Sequence, residues 1–358
     1  MDAPQPAATR SLSAPAHRGF TLVELLVVIG IIALLIALLL PALGKVVERA
    51  RVTTTQGTMQ EFAKACDAYF QEFNEYPGII PEDALEAGMG GSDSNAPPIS
   101  GTENAILALM GGYRVPTDSD YSTYGGTVYT FATTPPFTIK INPAKVGEGP
   151  TRNGKKYDSF FNPKGREFGT AKGQMVGNSQ EATPFLPDLL DAWGEPILYV
   201  RQSRMLGPLV STRTSSSSVL GQFSRAGILP YTLSTGLGEL GYDQTVAGNA
   251  AGYSIFNTEN AGGAGGAIAR DLTMGQMLRH PAQTTSMAGA SDAAKVNAGA
   301  PRGKYMLISP GPDGIYFSAS NGLGNPAAPQ GNIVSLGTNA DGPRVIDRYD
   351  DVVVFGGS

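Results

Sequence analysis

Apolar and polar positions change their spacing in stages along the chain. From Leu25 to Gly44 no charged side chain occurs, whereas Arg10 and Arg18 precede that run and Lys45, Arg49 and Arg51 follow it. At about 1.5 Å per residue, a helix from Phe20 to Leu40 matches the ~30 Å hydrocarbon core of a bilayer, so the run predicts a transmembrane helix over residues 20–41. Beyond it Met59, Phe62, Ala63, Cys66, Tyr69 and Phe73 recur at spacings of three and four. That period extends the helix as an amphipathic half over residues 42–77. Gly57 and the Thr53–Thr55 run weaken it locally, and Tyr76-Pro77-Gly78 ends it, because proline bars continuation and glycine permits a reversal. Farther on, short strand-like runs appear at Thr127–Ala132, Phe137–Ile141, Ile197–Val200 and Ile228–Leu233, at Tyr305 onward, and up to Phe355 near the C-terminus.

Composition agrees with that division. Charged residues make up 16% of the 358, against 46 glycines and 26 prolines, which favours strands joined by long turns over a helical bundle. The expected class is α+β, with one long N-terminal helix against an antiparallel sheet domain over residues 78–358. Net charge is −5, and without residues 1–19, which hold two arginines and one aspartate, it is −6. Such a chain offers no general attraction for nucleic acid. Cys66 is the single cysteine, so no intrachain disulfide can form, and its apolar helical setting marks it as a buried small hydrophobe.

Catalytic chemistry has few residues to work with. His17 and His280 are the only histidines, too few for a multi-histidine zinc site or a nucleophile-histidine pair in the expected domain. Gly236-Leu237-Gly238-Glu239-Leu240-Gly241 has the glycine spacing of a dinucleotide loop but lacks the surrounding strand-helix pattern. No enzymatic activity is expected.

The unusual chemistry lies in Arg18-Gly19-Phe20-Thr21-Leu22-Val23-Glu24. Glu24 stands at the mouth of the apolar run, where a carboxylate costs about 2.5–3.5 kcal/mol on insertion scales, so it needs a partner. Cleavage after Gly19 would supply one, because the new amino terminus on Phe20 is a cation at a similar depth. An ordinary secretory signal places its small-residue cleavage site after a shorter apolar core, whereas Gly19 precedes this one.

The string G-F-T-L-V-E followed by an apolar run resembles the type IV prepilin signature of pilins and type II secretion pseudopilins. That resemblance implies a cytoplasmic leader at residues 1–19, cleavage between Gly19 and Phe20 by a prepilin peptidase, and N-methylation of Phe20. It also implies that Glu24 meets the amine of a neighbouring copy during assembly, and that Pro41 corresponds to the proline that kinks many such helices. Asp191-Ala192-Trp193-Gly194-Glu195-Pro196-Ile197-Leu198-Tyr199 looks like the D-x-W-G-x-P-x-x-Y stretch of major pseudopilins. Trp193, the sole tryptophan, is expected to plug the sheet against the long helix.

Near the end, Ser309-Pro310-Gly311-Pro312-Asp313-Gly314 and Asp350-Asp351-Val352-Val353-Val354-Phe355 are similar to the segments with which major pseudopilins build a calcium site. The resemblance implies a structural Ca²⁺ held by Ser309, Asp313, Asp350 and Asp351, consistent with that ion's preference for six to eight oxygens at about 2.3–2.6 Å. Residues 79–183 and 202–302 read as large inserts that the resemblance does not cover.

The function implied is that of a filament subunit, a pseudopilin of a type II secretion system that drives protein export. Its globular domain would lie in the periplasm, and its single span in the inner membrane. Implied partners are copies of itself, other pseudopilins, the prepilin peptidase/methyltransferase, and an inner-membrane assembly platform with its ATPase. The alternatives are a type IV pilin or minor pilin for adhesion, motility or DNA uptake, and a membrane-anchored periplasmic glycan-binding or hydrolytic protein.

Overall fold

The computed structural model describes residues 22–88, 99–131, 133–169, 186–210, 212–214, 217–219, 221–224, 274–275, 278, 300–313, 316 and 352–357, with the side chains of 38–42, 212–219 and 313 excepted. Contacts divide the chain into two units, residues 1–50 and 51–358.

Helix α1 runs from Leu22 to Phe73 without a break at Pro41. In the first unit its described apolar side chains are exposed, from Leu22, Val23 and Leu25 through Ile36 to Leu43, Val46 and Val47. Among the described residues no helix is long and apolar enough to cross a membrane. The expected span of 20–41 starts two residues before the described chain, and it includes side chains from 38 to 41 that are not described.

In the second unit α1 acquires a buried face. Thr55, Met59, Phe62, Cys66 and Tyr69 are fully buried, and Ala63 and Phe73 are partly so, as the three-four spacing requires. The helix ends through Asn74, whose φ of 56° places it in the left-handed region and whose N–H donates to Phe70 O at 2.7 Å. Two shorter helices follow, α2 (Glu82–Gly88) and α3 (Gly101–Met110). Every residue of α3 is buried. A capping box starts it: Ser100 Oγ accepts from Glu103 N at 3.0 Å, and Glu103 Oε2 accepts from Ser100 N at 2.7 Å.

The strands are β1 (Tyr113–Arg114), β2 (Thr127–Phe131), β3 (Phe137–Ile141), β4 (Thr151–Arg152), β5 (Lys155–Lys156), β6 (Phe168–Gly169), β7 (Asp188–Leu189), β8 (Leu198–Arg201), β9 (Thr212–Thr214), β10 (Ser217–Val219), β11 (Tyr305–Ser309) and β12 (Val352–Gly356). Two antiparallel sheets of three strands form, ordered β1-β3-β2 and β12-β11-β8, and the remaining strands pair two by two. The α+β class therefore holds.

Sheet β12-β11-β8 is buried on both faces, which explains why its strands read as continuous apolar runs and not as alternating ones. Tyr199, Tyr305, Leu307 and Val352 pack with Met59, Phe62, Cys66, Tyr69 and the α3 side chains Ala105, Ile106 and Leu109. Leu198, Val200, Met306 and Ile308 pack on the opposite side with Leu209, Val210, Phe223 and Tyr316. The plug between helix and sheet is Phe62, whose ring meets Phe161 and Tyr199 edge-on at 5.2 and 5.7 Å. Trp193, expected in that role, is only partly buried and belongs to neither cluster, because it sits in the turn itself.

The stretch 79–183, expected as an insert, contributes to this core through α3. Buried Asn104 also ties α3 to the chain leaving α1: its Oδ1 accepts from Ile79 N and Ile80 N at 2.9 Å, and its Nδ2 donates to Ile80 O at 2.9 Å. The runs at 228–233, 236–241 and His280 lie outside the described residues.

Candidate functional site

At the N-terminal end, Glu24 lies in the first turn of α1, where a carboxylate is favoured by the partial positive charge of unsatisfied backbone N–H groups. It is exposed, and its apolar neighbours Leu22 (79% exposed), Val23 (68%) and Leu25 (57%) are too. A continuous exposed apolar surface of this kind marks a site of contact with protein or membrane. Gly19 and Phe20, the expected cleavage pair, lie outside the described residues, and Pro41 is described only as backbone within α1.

At the C-terminal end the structure joins two motifs that are far apart in sequence. Ser309 Oγ donates to Asp191 Oδ2 at 2.7 Å, and both residues are buried. Asp191 Oδ1 accepts from Trp193 N and Glu195 N, each at 2.9 Å. Asp191 N donates to Glu195 O at 2.8 Å and Gly194 N donates to Asp191 O at 3.1 Å, closing a tight turn that needs Gly194 at φ 90°. Burial pushes the Asp191 carboxyl above its ordinary value, and the Ser309 hydroxyl and turn N–H groups act against that rise. On the other side of the turn, Ala192 N donates to Thr55 Oγ1 of α1 at 3.1 Å.

Ser309, one of the expected oxygen donors, belongs to this network. The Ser309 hydroxyl donates to Asp191 and accepts from Gly311 N at 3.3 Å, so it is already committed as an interior linker. Asp313 closes the 3₁₀ turn Gly311–Asp313, its side chain is not described, and Asp350 and Asp351 lie outside the described residues. β11 and β12 pair with Ser309 opposite Val352, so the chain leaving Ser309 and the chain entering Val352 meet the sheet at the same end. Among the described residues no group of three His, Cys, Asp or Glu side chains could hold a metal ion.

A cleft of about 710 Å³ also opens in the second unit, with Tyr76, Glu82, Arg152, Arg201 and Lys304 among its walls. Its deepest charges neutralise each other. Arg201 Nε meets Glu82 Oε1 at 3.0 Å, and the same guanidinium donates to Tyr76 O at 2.8 Å and Ile80 O at 3.4 Å. Arg152 pairs with Glu75 and also donates to Tyr69 OH at 3.2 Å. No histidine or cysteine lines the cleft among the described residues. Cys66 is fully buried and its thiol is pushed well above its ordinary pKa by burial, which suits packing and not reactivity.

The Asp191–Ser309 bond, the Thr55 link and the role of α3 were not anticipated. Ser100-Gly101-Thr102-Glu103 before an apolar run is a capping-box signature and would have revealed α3. No local pattern in the sequence pairs Asp191 with Ser309.

Comparison with known proteins agrees with the exposed apolar helix start. Residues 15–40, which include Gly19, Phe20 and Glu24, match the prokaryotic N-terminal methylation motif. The chain is 32% identical over 92 residues to the type II secretion system core protein G of Pseudomonas aeruginosa. That match covers 26% of this chain and spans 63% of the relative's length. No solved structure matches. A methylation motif where Glu24 enters α1 and a likeness to a secretion-system core protein make the chain similar to type IV prepilin-like and pseudopilin-like proteins.

Proposed function

We propose that this chain is a filament subunit of a type II secretion system, of the major pseudopilin kind, assembled through its N-terminal helix to drive protein export. The observation that carries the reading is a methylation motif at the start of a helix whose apolar side chains are exposed around one carboxylate, Glu24. In this reading the uncharged run from Leu25 to Gly44 holds the subunit in the inner membrane as a span of residues 20–41, with the globular part in the periplasm. A prepilin peptidase removes residues 1–19 and methylates Phe20. The methylated amine keeps its positive charge, so it can pair with Glu24 of a neighbouring copy and fix axial register in a low-dielectric filament core.

Calcium has a structural part in the same reading. Asp313, Asp350 and Asp351 would hold Ca²⁺ at the sheet end where β11 finishes and β12 begins, with Ser309 contributing a hydroxyl or carbonyl oxygen. Bound there, the ion would tie the C-terminal segment to the sheet in a chain with no disulfide, and it would stabilise the folded state by RT ln(1 + c/Kd), with c the free Ca²⁺ concentration. The further partners are copies of this chain, other pseudopilins, and an inner-membrane platform with its ATPase.

Cells with and without this chain discriminate the reading from its alternative. Loss of exported enzymes with surface pili intact is the expected result. Loss of pili with normal secretion would instead assign the chain to type IV pili.

A further inference from the structure

Helix α1 carries its poorest helix formers at one place. Five of the six residues from Thr53 to Thr58 are threonine or glycine. Threonine loses side-chain freedom against the preceding turn and glycine loses the most backbone freedom of any residue, so both disfavour a helix interior. Two of the five have a use in the fold: Thr55 Oγ1 accepts from Ala192 N at 3.1 Å, and Thr58 is buried. Gly57 answers no steric need. A Cβ built there meets nothing within 4 Å, and its φ is not left-handed, so the position would accept alanine. Thr58 Oγ1 also donates back to Thr54 O at 3.2 Å, a bond of the kind that weakens and bends helices. The next turns differ: Met59, Phe62, Cys66 and Tyr69 are fully buried in the core. The boundary between the two units falls just ahead of the stretch, between Ala50 and Arg51.

We infer that Thr53–Thr58 is an opening point built into α1, a turn that unwinds locally and reversibly while Met59–Phe73 keeps its packing. Local opening is easiest where the helix ladder is weak and little apolar surface is buried, and Thr53, Thr54 and Gln56 are exposed. Two residues set the balance from opposite sides. Gly57 favours the open form, because the unwound chain gains the most freedom there. Thr55 is the latch: its hydroxyl holds the closed turn to Ala192 N, and unwinding gives that bond up. Since Thr55 is fully buried, water does not replace the bond while the turn is closed. The helix can therefore bend where it enters the packed unit without disturbing the core. This is a property of the chain itself and holds whatever the chain assembles into.

The test is hydrogen exchange followed by mass spectrometry on the full-length chain in detergent micelles, with rates corrected for the intrinsic exchange of each amide. In the wild type, peptides covering 53–58 should be about tenfold or more less protected than peptides covering 62–70 of the same helix. Gly57→Ala should raise protection at 53–58 about fivefold, the difference in helix propensity between the two residues, and leave 62–70 unchanged. Thr55→Val, similar in shape but unable to accept, should lower protection at 53–58 about fivefold, the contribution of one hydrogen bond. Thr55→Ser, which keeps the hydroxyl, should restore it. Even protection from 53 to 70 in the wild type overturns the inference. Gly57→Ala overturns it too if protection at 53–58 stays as it was or rises equally along the whole helix, since glycine would then set no opening there. Loss of protection at 62–70 as large as that at 53–58 in Thr55→Val would assign Thr55 to packing of the whole helix and overturn its role as the latch.

Discussion

Asp191 and Ser309, 118 residues apart, share a 2.7 Å hydrogen bond in the interior, and it fastens the turn around Trp193 to the end of β11. Removing the carboxylate leaves the N–H groups of Trp193 and Glu195 and the Ser309 hydroxyl without their acceptor. Each buried polar group left unsatisfied costs about 1–3 kcal/mol. Asp191→Ala should therefore destabilise the chain by about 3 kcal/mol or more, and Ser309→Ala by about 1–2 kcal/mol, in urea unfolding of the full chain. Because the two residues are in contact, the double variant should cost less than the sum of the single ones. Additive losses would deny the pairing.

A second test concerns the ion pair at the floor of the cleft. Arg201 and Glu82 are largely buried, with side chains 14% and 15% exposed, and Arg201 also holds the carbonyls of Tyr76 and Ile80. Gly78 lies so close that a Cβ there would strike the guanidinium, which is why this position takes glycine at φ 149°. Breaking one side of a buried pair typically costs about 3–5 kcal/mol, because the other charge is left uncompensated. Arg201→Met should fall in that range in thermal or urea unfolding. A loss below about 1 kcal/mol would mean that the pair is solvated in solution.

The buried phenols make the fold sensitive to alkali. Burial raises Tyr69 to about 12, where its contact with Arg152 acts against the rise, and it raises Tyr199 and the Cys66 thiol well above their ordinary values. These groups bind their protons more tightly folded than unfolded. The stability they protect is complete below the unfolded values of 10.0 and 9.0, and it is lost as pH rises through the raised, folded values. Phenolate absorbance of the folded chain should lag behind that of the urea-unfolded chain and then appear together with loss of structure. Titration of all tyrosines near their ordinary value, with the fold intact, would contradict the burial described.

Helix and strand positions were legible in the sequence wherever periodicity was local. The three-four spacing from Met59 to Phe73 gave the buried face of α1, Phe137–Ile141 gave β3, and the runs at Tyr305 and before Phe355 gave β11 and β12. Long-range choices were not legible. Phe62 and not Trp193 fills the space between helix and sheet, because the tryptophan is spent in a turn whose backbone bonds to Asp191. Ser309 Oγ meets Asp191 Oδ2 across 118 residues, a pairing that no local pattern announces. Residues 79–183 lack the family motifs but contain the capping box that starts a core helix.

The role of Glu24 predicts a separation of effects. It sits in the first turn of α1 among exposed apolar side chains, so replacing it by an apolar residue should favour insertion in the membrane. Glu24→Val should leave membrane association and removal of residues 1–19 intact while reducing incorporation into filaments at least tenfold, which corresponds to about 1.4 kcal/mol of lost pairing. Membrane fractionation and immunoblots of sheared filaments measure the two effects in one culture. Normal incorporation would remove Glu24 from the assembly account.

The most direct measurement is the N-terminal peptide of this chain in purified filaments, read by mass spectrometry. The account predicts a peptide that begins at Phe20 and carries one added methyl group on its amine. A chain that still carries residues 1–19, one that begins elsewhere, or one absent from the filaments altogether would contradict the claim that it is a processed filament subunit.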